Sequence, residues 1–258
     1  GPLSFFNNLP DKSFTSSIDL EYSMDKFMLT QSFQAVKKIL EPTKVQEEII
    51  TTKKLQKTAH ETKHNKKSRS QNAVMRENGY AAGLASANQY AVNLLECSET
   101  EYISWEWLHL IAFMVRGKKS QDAGNLVCAS ESANTSMMFI EKQLPNLAKA
   151  YPDGFKLKAS AELLPGTHFA KEIHYFIKTD DFELSFDFDT TQSQKPHQSN
   201  AEYVHALFEA LIKCYKETKN SHHLARDKLS VSRKNLIGFF DSTETRVLSS
   251  ETTETIEK

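Results

Sequence analysis

Trp105-Glu106-Trp107-Leu108-His109, Gly124-Asn125-Leu126-Val127, Ala133-Asn134-Thr135 and Glu141 form the stretch on which the reading of this chain turns. Ile103 to Phe113 is rich in aromatic and large aliphatic residues, which predicts a strand carrying His109. Gly117 to Gly124 reads as a loop, and Asn125 to Ala129 as a short extended segment. From Ser132 to Ala148 a helical stripe runs through Met137, Ile140 and Leu144, and Pro145 should kink or end it. Asn134 and Glu141 are seven residues apart on that helix. At about 100° per residue they return to one face, two turns apart.

A histidine near a strand end, followed by a loop and a helix bearing an asparagine, suits one-metal phosphodiester hydrolysis. Attacking water must lose a proton, which a neutral imidazole accepts near pH 7. Charge on the transition state and leaving oxygen needs a divalent cation with open positions. Magnesium keeps most of its waters, so one amide oxygen such as that of Asn134 suffices as a direct protein ligand. Glu141 would then steady a coordinated water, and Asn125 would orient the loop or meet a phosphate oxygen.

The pattern Asn125-Leu126-Val127, Ala133-Asn134 and Glu141, downstream of a strand histidine, resembles the sugar-nonspecific DNA/RNA endonuclease family of ββα-metal nucleases. More loosely, it resembles the HNH-type nuclease toxins that bacteria export. The resemblance spans Trp105 to Leu144; Pro165-Gly166-Thr167-His168 and Ile173-His174-Tyr175 are also similar to segments that follow this core in some toxin-like nucleases. It implies an α+β fold, in which a small antiparallel sheet presents His109 and packs against the helix carrying Asn134. It also implies His109 as general base, Asn134 as the ligand of Mg2+ (or Mn2+), Glu141 in the metal's water shell and Asn125 as a further polar site residue. The expected activity is metal-dependent endonucleolytic hydrolysis, of DNA ahead of RNA, in an exported toxin or effector that an inhibitory immunity protein would hold in check. The family's Asp-Arg-Gly-His run is absent, and Trp107-Leu108-His109 stands in its place. The transition-state arginine must then come from elsewhere, either Arg116 in the following loop or Arg76 upstream. Two rival readings remain open. One is a non-catalytic effector or interaction domain on a degenerate nuclease scaffold. The other is a metal-independent RNase pairing His109 with His168 or His174.

Outward from this core, residues 68–242 form the expected catalytic domain. Phe155 to Leu163, His168 to Lys178 and Phe182 to Phe188 are strand candidates, and Ala201 to Thr218 is an amphipathic helix. Alternate acids Asp187 and Asp189 read as a solvated strand face. Gly1-Pro2-Leu3-Ser4 resembles a protease-cleavage scar. Residues 5–67 read as a helical arm or linker, with one helix through Phe27, Met28, Phe33, Val36 and Leu40 and a second run starting at Val45. Residues 243–258 are rich in Ser, Thr and Glu and are expected to be disordered.

The 258 residues carry a net charge of −1, so overall charge lends nucleic-acid binding no support. Lysines do crowd locally, at Lys53, Lys54, Lys57, Lys63, Lys66 and Lys67, with Arg69 and Arg76 beyond them. Such a stripe neutralises phosphates or simply solvates a helix face. Three widely spaced cysteines without a CxxC pair argue against a disulfide framework or a zinc site. No apolar run reaches the roughly 18 residues a spanning helix needs, so no membrane partner is expected. Location in the cell stays open between cytoplasm and secretion into a target cell.

Overall fold

The computed structural model describes residues 43–64, 69–77, 86–95, 103–213, 239–248 and 253–256, the last two segments as backbone strands. The chain is α+β. β1 (Thr43–Ile50), β4 (Phe155–Leu163), β5 (Ala170–Lys178), β6 (Phe182–Phe188), β7 (Phe239–Leu248) and β8 (Thr253–Ile256) form one six-stranded antiparallel sheet in that order. β2 (Trp105–His109) and β3 (Leu126–Ser130) form a separate antiparallel pair. The helices are α1 (Thr52–His64), α2 (Gln71–Glu77), α3 (Ala87–Leu95), the single turn α4 (Phe113–Arg116), α5 (Glu131–Glu141), α6 (Leu144–Ala150) and α7 (Gln198–Ile212). No helix among the described residues is long and apolar enough to cross a membrane.

Period-2 alternation in β4 to β6 buries one face of the large sheet. Leu157, Ala159, Ala161, Ile173, Tyr175, Ile177, Phe186 and Phe188 lie inward and pack with Met137 and Ile140 of α5, Leu147 of α6, and Val204, Leu207 and Phe208 of α7. A second cluster gathers Met75 of α2, Tyr90 and Leu94 of α3, Trp105, Trp107, Leu126, Cys128 and Phe169. The β2–β3 pair therefore lies between two cores. Leu108, Val127 and Ala129 belong to the first, and Trp105, Trp107, Leu126 and Cys128 to the second.

Four local expectations change. The run from Val45 begins as strand and becomes helix, α1, only from Thr52: β1 alternates between exposed and half-buried positions as far as Ile49 and ends on the fully buried Ile50. Its inward residues Lys44, Gln46 and Glu48 are polar and serve a polar loop, while Val45 and Ile49 face out, so the usual hydrophobic signature is inverted. β1 and α1 are thus integral to the fold instead of forming an arm; the stripe from Phe27 to Leu40 lies outside the described residues. The strand expected to Phe113 ends at His109, because the Asn125 side chain takes over both backbone groups of Ile111. Finally, within 243–258, expected to be disordered, residues 243–248 complete β7 and residues 253–256 form β8. Threonine recurs through both strands, and main-chain pairing extends a sheet without requiring apolar mass. Pro145 acts as expected: α5 ends in a turn at Lys142 and Gln143, and the proline sits in the first turn of α6, where no N–H is needed.

Candidate functional site

Strand β2, the single turn α4, strand β3 and helix α5 follow in chain order, so the two paired strands precede α5. Leu110 N–H donates to Asn125 O across the β2–β3 ladder at 2.9 Å. Alternation then turns the backbone groups of Trp105, Trp107 and His109 to the outer edge of β2, where Trp105 N–H donates to Asn88 Oδ1 at 2.7 Å. A polar groove of about 370 Å3 runs along that edge. Ser70, Gln71, Asn88, Glu106, His109 and Asn134 are among the residues that line it. Side-chain alternation brings His109 to it from the Trp105 and Trp107 face of β2, and Glu106 from the α5 face.

Asn134 lies one turn into α5. Ser130 caps the helix, its Oγ accepting from Ala133 N–H at 3.1 Å, so Asn134 is released from the capping duty asparagine often performs there. Its Nδ2 donates to Glu106 Oε2 at 2.7 Å. That contact fixes the amide and turns Oδ1 away from Glu106. Asn134 Oδ1 and Glu106 Oε1 have no hydrogen-bond partner among the described residues. An amide carbonyl oxygen and a carboxylate oxygen are both hard donors of the kind magnesium takes. Glu106 was missed by the sequence reading; its one signal is a carboxylate set between two buried tryptophans.

His109 is held by Gln121, whose Oε1 accepts from Nε2–H. The amide orientation follows from its other end, where Gln121 Nε2 donates to Arg69 O at 2.8 Å and Gln71 Oε1 at 3.1 Å. The proton of a neutral His109 therefore resides on Nε2, leaving Nδ1 as the basic nitrogen. Burial lowers the His109 pKa from its ordinary 6.5, and the Gln121 bond opposes that only in part. The imidazole is neutral at pH 7. A positioned, neutral, tautomer-defined imidazole has the character of a general base.

The remaining expected site residues are elsewhere. Asn125 is fully buried: Oδ1 accepts from Ile111 N–H, and Nδ2 donates to Ile111 O and Ser120 O, at 2.9, 2.9 and 3.0 Å. Its hydrogen-bonding capacity is spent on the β2–β3 connection, leaving nothing for a phosphate. Arg116 is bound to β1, with Nε on Glu48 Oε1 and Nη1 on Gln46 Oε1 at 2.6 Å each, and Nη2 on Glu47 O at 3.1 Å. Arg76 is exposed in the last turn of α2, and neither arginine lines the groove. Glu141 lies at the far end of α5 with Tyr175 Oη 3.0 Å from its Oε1, outside the groove. Burial pushes its carboxyl up to about 7. His168 Nδ1 faces Lys44 Nζ at 3.1 Å, and His174 is bound to Asp187 in the large sheet, so neither stands beside His109.

Cations gather instead around a recess of about 600 Å3 between α1 and the turn after α4, lined by Lys54, Lys57, Arg116, Lys118 and Lys119. Glu48 answers two of them, Lys54 and Arg116. Compared with known protein families, with curated proteins and with solved structures, the chain finds no significant match.

Proposed function

We propose that the chain is a metal-dependent nuclease acting on DNA, with its site in the groove along the edge of β2. The observation that carries this reading is the convergence of His109 and Asn134 on one polar groove, in a strand–strand–helix order. His109 accepts the proton of the attacking water at Nδ1, while Gln121 holds Nε2–H and fixes the ring. Asn134 Oδ1 and Glu106 Oε1 would hold magnesium, or manganese in its place. Bound there, the cation supplies positive charge toward the developing charge on phosphate and leaving oxygen. Lys57, Lys118 and Lys119, lining the recess, offer charge for the flanking phosphates. The same resemblance suggests an exported toxin or effector, kept in check by an immunity protein.

One observation favours a second reading, a non-catalytic interaction domain: among the described residues, no arginine lines the groove to serve the transition state. Incubating the full chain with plasmid and total RNA, with magnesium or chelator, separates the two. Magnesium-dependent cleavage that Asn134→Ala and Glu106→Gln each abolish, without a change in melting, is the expected result. Absence of cleavage by the folded wild-type protein with magnesium or manganese sinks the nuclease reading.

A further inference from the structure

The open face of the six-stranded sheet, opposite the core, carries a second constellation. Glu162 of β4 stands directly across from Glu172 of β5, and His174 of β5 across from Asp187 of β6. Glu172 and His174 are two residues apart and so share a face. Ligand atoms of Glu162, Glu172 and His174 all lie within 4.8 Å of one another. His174 Nε2 is 3.1 Å from Glu172 Oε2, and its Nδ1 is bound to Asp187 Oδ1.

Two features of this arrangement are costly for a plain solvated surface. Like charges directly opposed across strands destabilise a sheet, yet Glu162 and Glu172 occupy such a pair. The ladder is also broken beside them: pairing passes from Glu162↔Glu172 to Leu163↔Ala170 and leaves Lys171 as an extra residue. Bulges of this kind re-aim side chains and accompany functional sites. A second irregularity, between Phe186 and Phe188, brackets Asp187.

We propose that Glu162, Glu172 and His174 Nε2 form a three-ligand site for a zinc-class divalent ion. Asp187 is its positioning residue: it holds Nδ1–H and directs Nε2 toward the two carboxylates, the outer-shell arrangement that orients metal-binding histidines. Two carboxylates balance the charge of the ion, and the proton on Nε2 leaves to solvent as the metal takes its place. An imidazole among carboxylates selects zinc over magnesium or calcium, which prefer all-oxygen sets. The side chains of His174 and Glu172 remain 35% and 42% exposed, so a fourth position stays open to water or another ligand. The site shares no residue with the β2 groove and does not depend on the nuclease reading.

The test is calorimetric titration of the chelator-stripped full chain with zinc and, separately, magnesium. The expected result is zinc binding that His174→Ala weakens by at least about 100-fold and Glu162→Gln by about 10-fold or more, with both metal-free variants still folded and Glu162→Gln melting no lower than wild type. Asp187→Asn, which leaves all three ligands in place, should weaken zinc binding by about 10–100-fold. Zinc should also raise the melting temperature of the wild type with the logarithm of its concentration above Kd, and not that of His174→Ala. The His60 and His64 rings lie 4.4 Å apart between centroids on α1, tilted to one another, and provide the control. Zinc binding that vanishes in His60→Ala/His64→Ala but persists in His174→Ala overturns the assignment. So does the absence of zinc binding, or magnesium bound equally well at the same residues.

Discussion

Glu141→Gln should stabilise the protein at alkaline pH and leave it nearly unchanged in acid. Tyr175 Oη lies 2.8 Å from Leu110 O and 3.0 Å from Glu141 Oε1, yet a phenol has a single proton. Both contacts are satisfied when Tyr175 donates to Leu110 and a protonated Glu141 donates to Tyr175. Burial favours the same neutral acid, raising the carboxyl from its ordinary 4.5 to about 7. The folded state thus holds this proton more tightly than the unfolded chain. Its stabilisation is complete below pH 4.5 and is lost as pH rises through about 7. At 1.36 kcal/mol per pKa unit the full shift is worth roughly 3 kcal/mol. Glu141 as a residue keeps some contact with water, so about 1–3 kcal/mol is the expected range. Glutamine is isosteric, never ionises and can donate to Tyr175. Urea unfolding of both proteins at pH 4.5, 6 and 8 isolates the effect, because every other titrating group cancels in the difference. The variant should gain about 1–3 kcal/mol relative to wild type between the lowest and highest pH, or some 2–4 °C per kcal/mol in melting. A difference that stays flat across this range, or falls, refutes the argument.

His109→Ala should reduce cleavage by about 10²–10⁴-fold with little change in melting, and wild-type kcat/KM should rise with pH to a plateau whose midpoint lies below 6.5, since burial lowers the imidazole pKa; a midpoint above 6.5 would disqualify His109 as the base. Asn125→Ala should cost about 2–4 kcal/mol, because it strands buried backbone groups of Ile111 and Ser120; a loss under 1 kcal/mol in urea unfolding would deny the clamp. Truncation after residue 238 removes β7 and β8 and exposes the edge of β6, so melting should fall and self-association in ultracentrifugation should rise; unchanged behaviour would show that these strands contribute nothing.

Legibility of the sequence followed the environment of each element. β4, β5 and β6 were read closely because one face packs on helices and the other meets water, which writes period 2 into the residues. β1 was hidden because its inward face meets a polar loop. Lys44, Gln46 and Glu48 point in, with Ile50 as the one apolar residue among them, while Val45 and Ile49 point out, a pattern that periodicity alone does not read as a buried face. In the candidate site, His109 and Asn134, which the sequence brings forward together, line one groove. Gln121 and Glu106 were not legible, because each acts through one neighbour whose proximity depends on the fold of an entire loop. The spacing of Asn134 and Glu141 was read correctly as one helix face but over-extended into one site. Seven residues of helix advance about 10 Å along the axis. Over that distance the same face of α5 passes from the groove at its start to the Tyr175 contact inside the protein at its end.

The residues least visible in the sequence are those on which the groove most depends. The connection from β2 to β3 must return the chain across the ladder while placing Gln121 against His109; its first half is anchored in the core by Leu110, Ile111 and Val115, but from Gly117 to Asn125 Ala123 is the one apolar side chain. Polar groups of β1 supply the anchorage. Lys44 Nζ donates to Ala123 O and Leu126 O at 2.8 and 2.9 Å, and Gln46 Nε2 to Gly124 O at 3.1 Å. Glu48 holds Arg116 from one side while Asn125 fastens Ile111 and Ser120 from the other. Burial brings the Lys44 ammonium down to about 8, which leaves it charged at neutral pH and able to use its donors. Such buried contacts are expensive to leave unmade, so the loop has one arrangement instead of many. Arg116, which the family resemblance offered as a catalytic cation, belongs to this framework: its charge secures the loop that presents Gln121, and Gln121 in turn settles which nitrogen of His109 is basic.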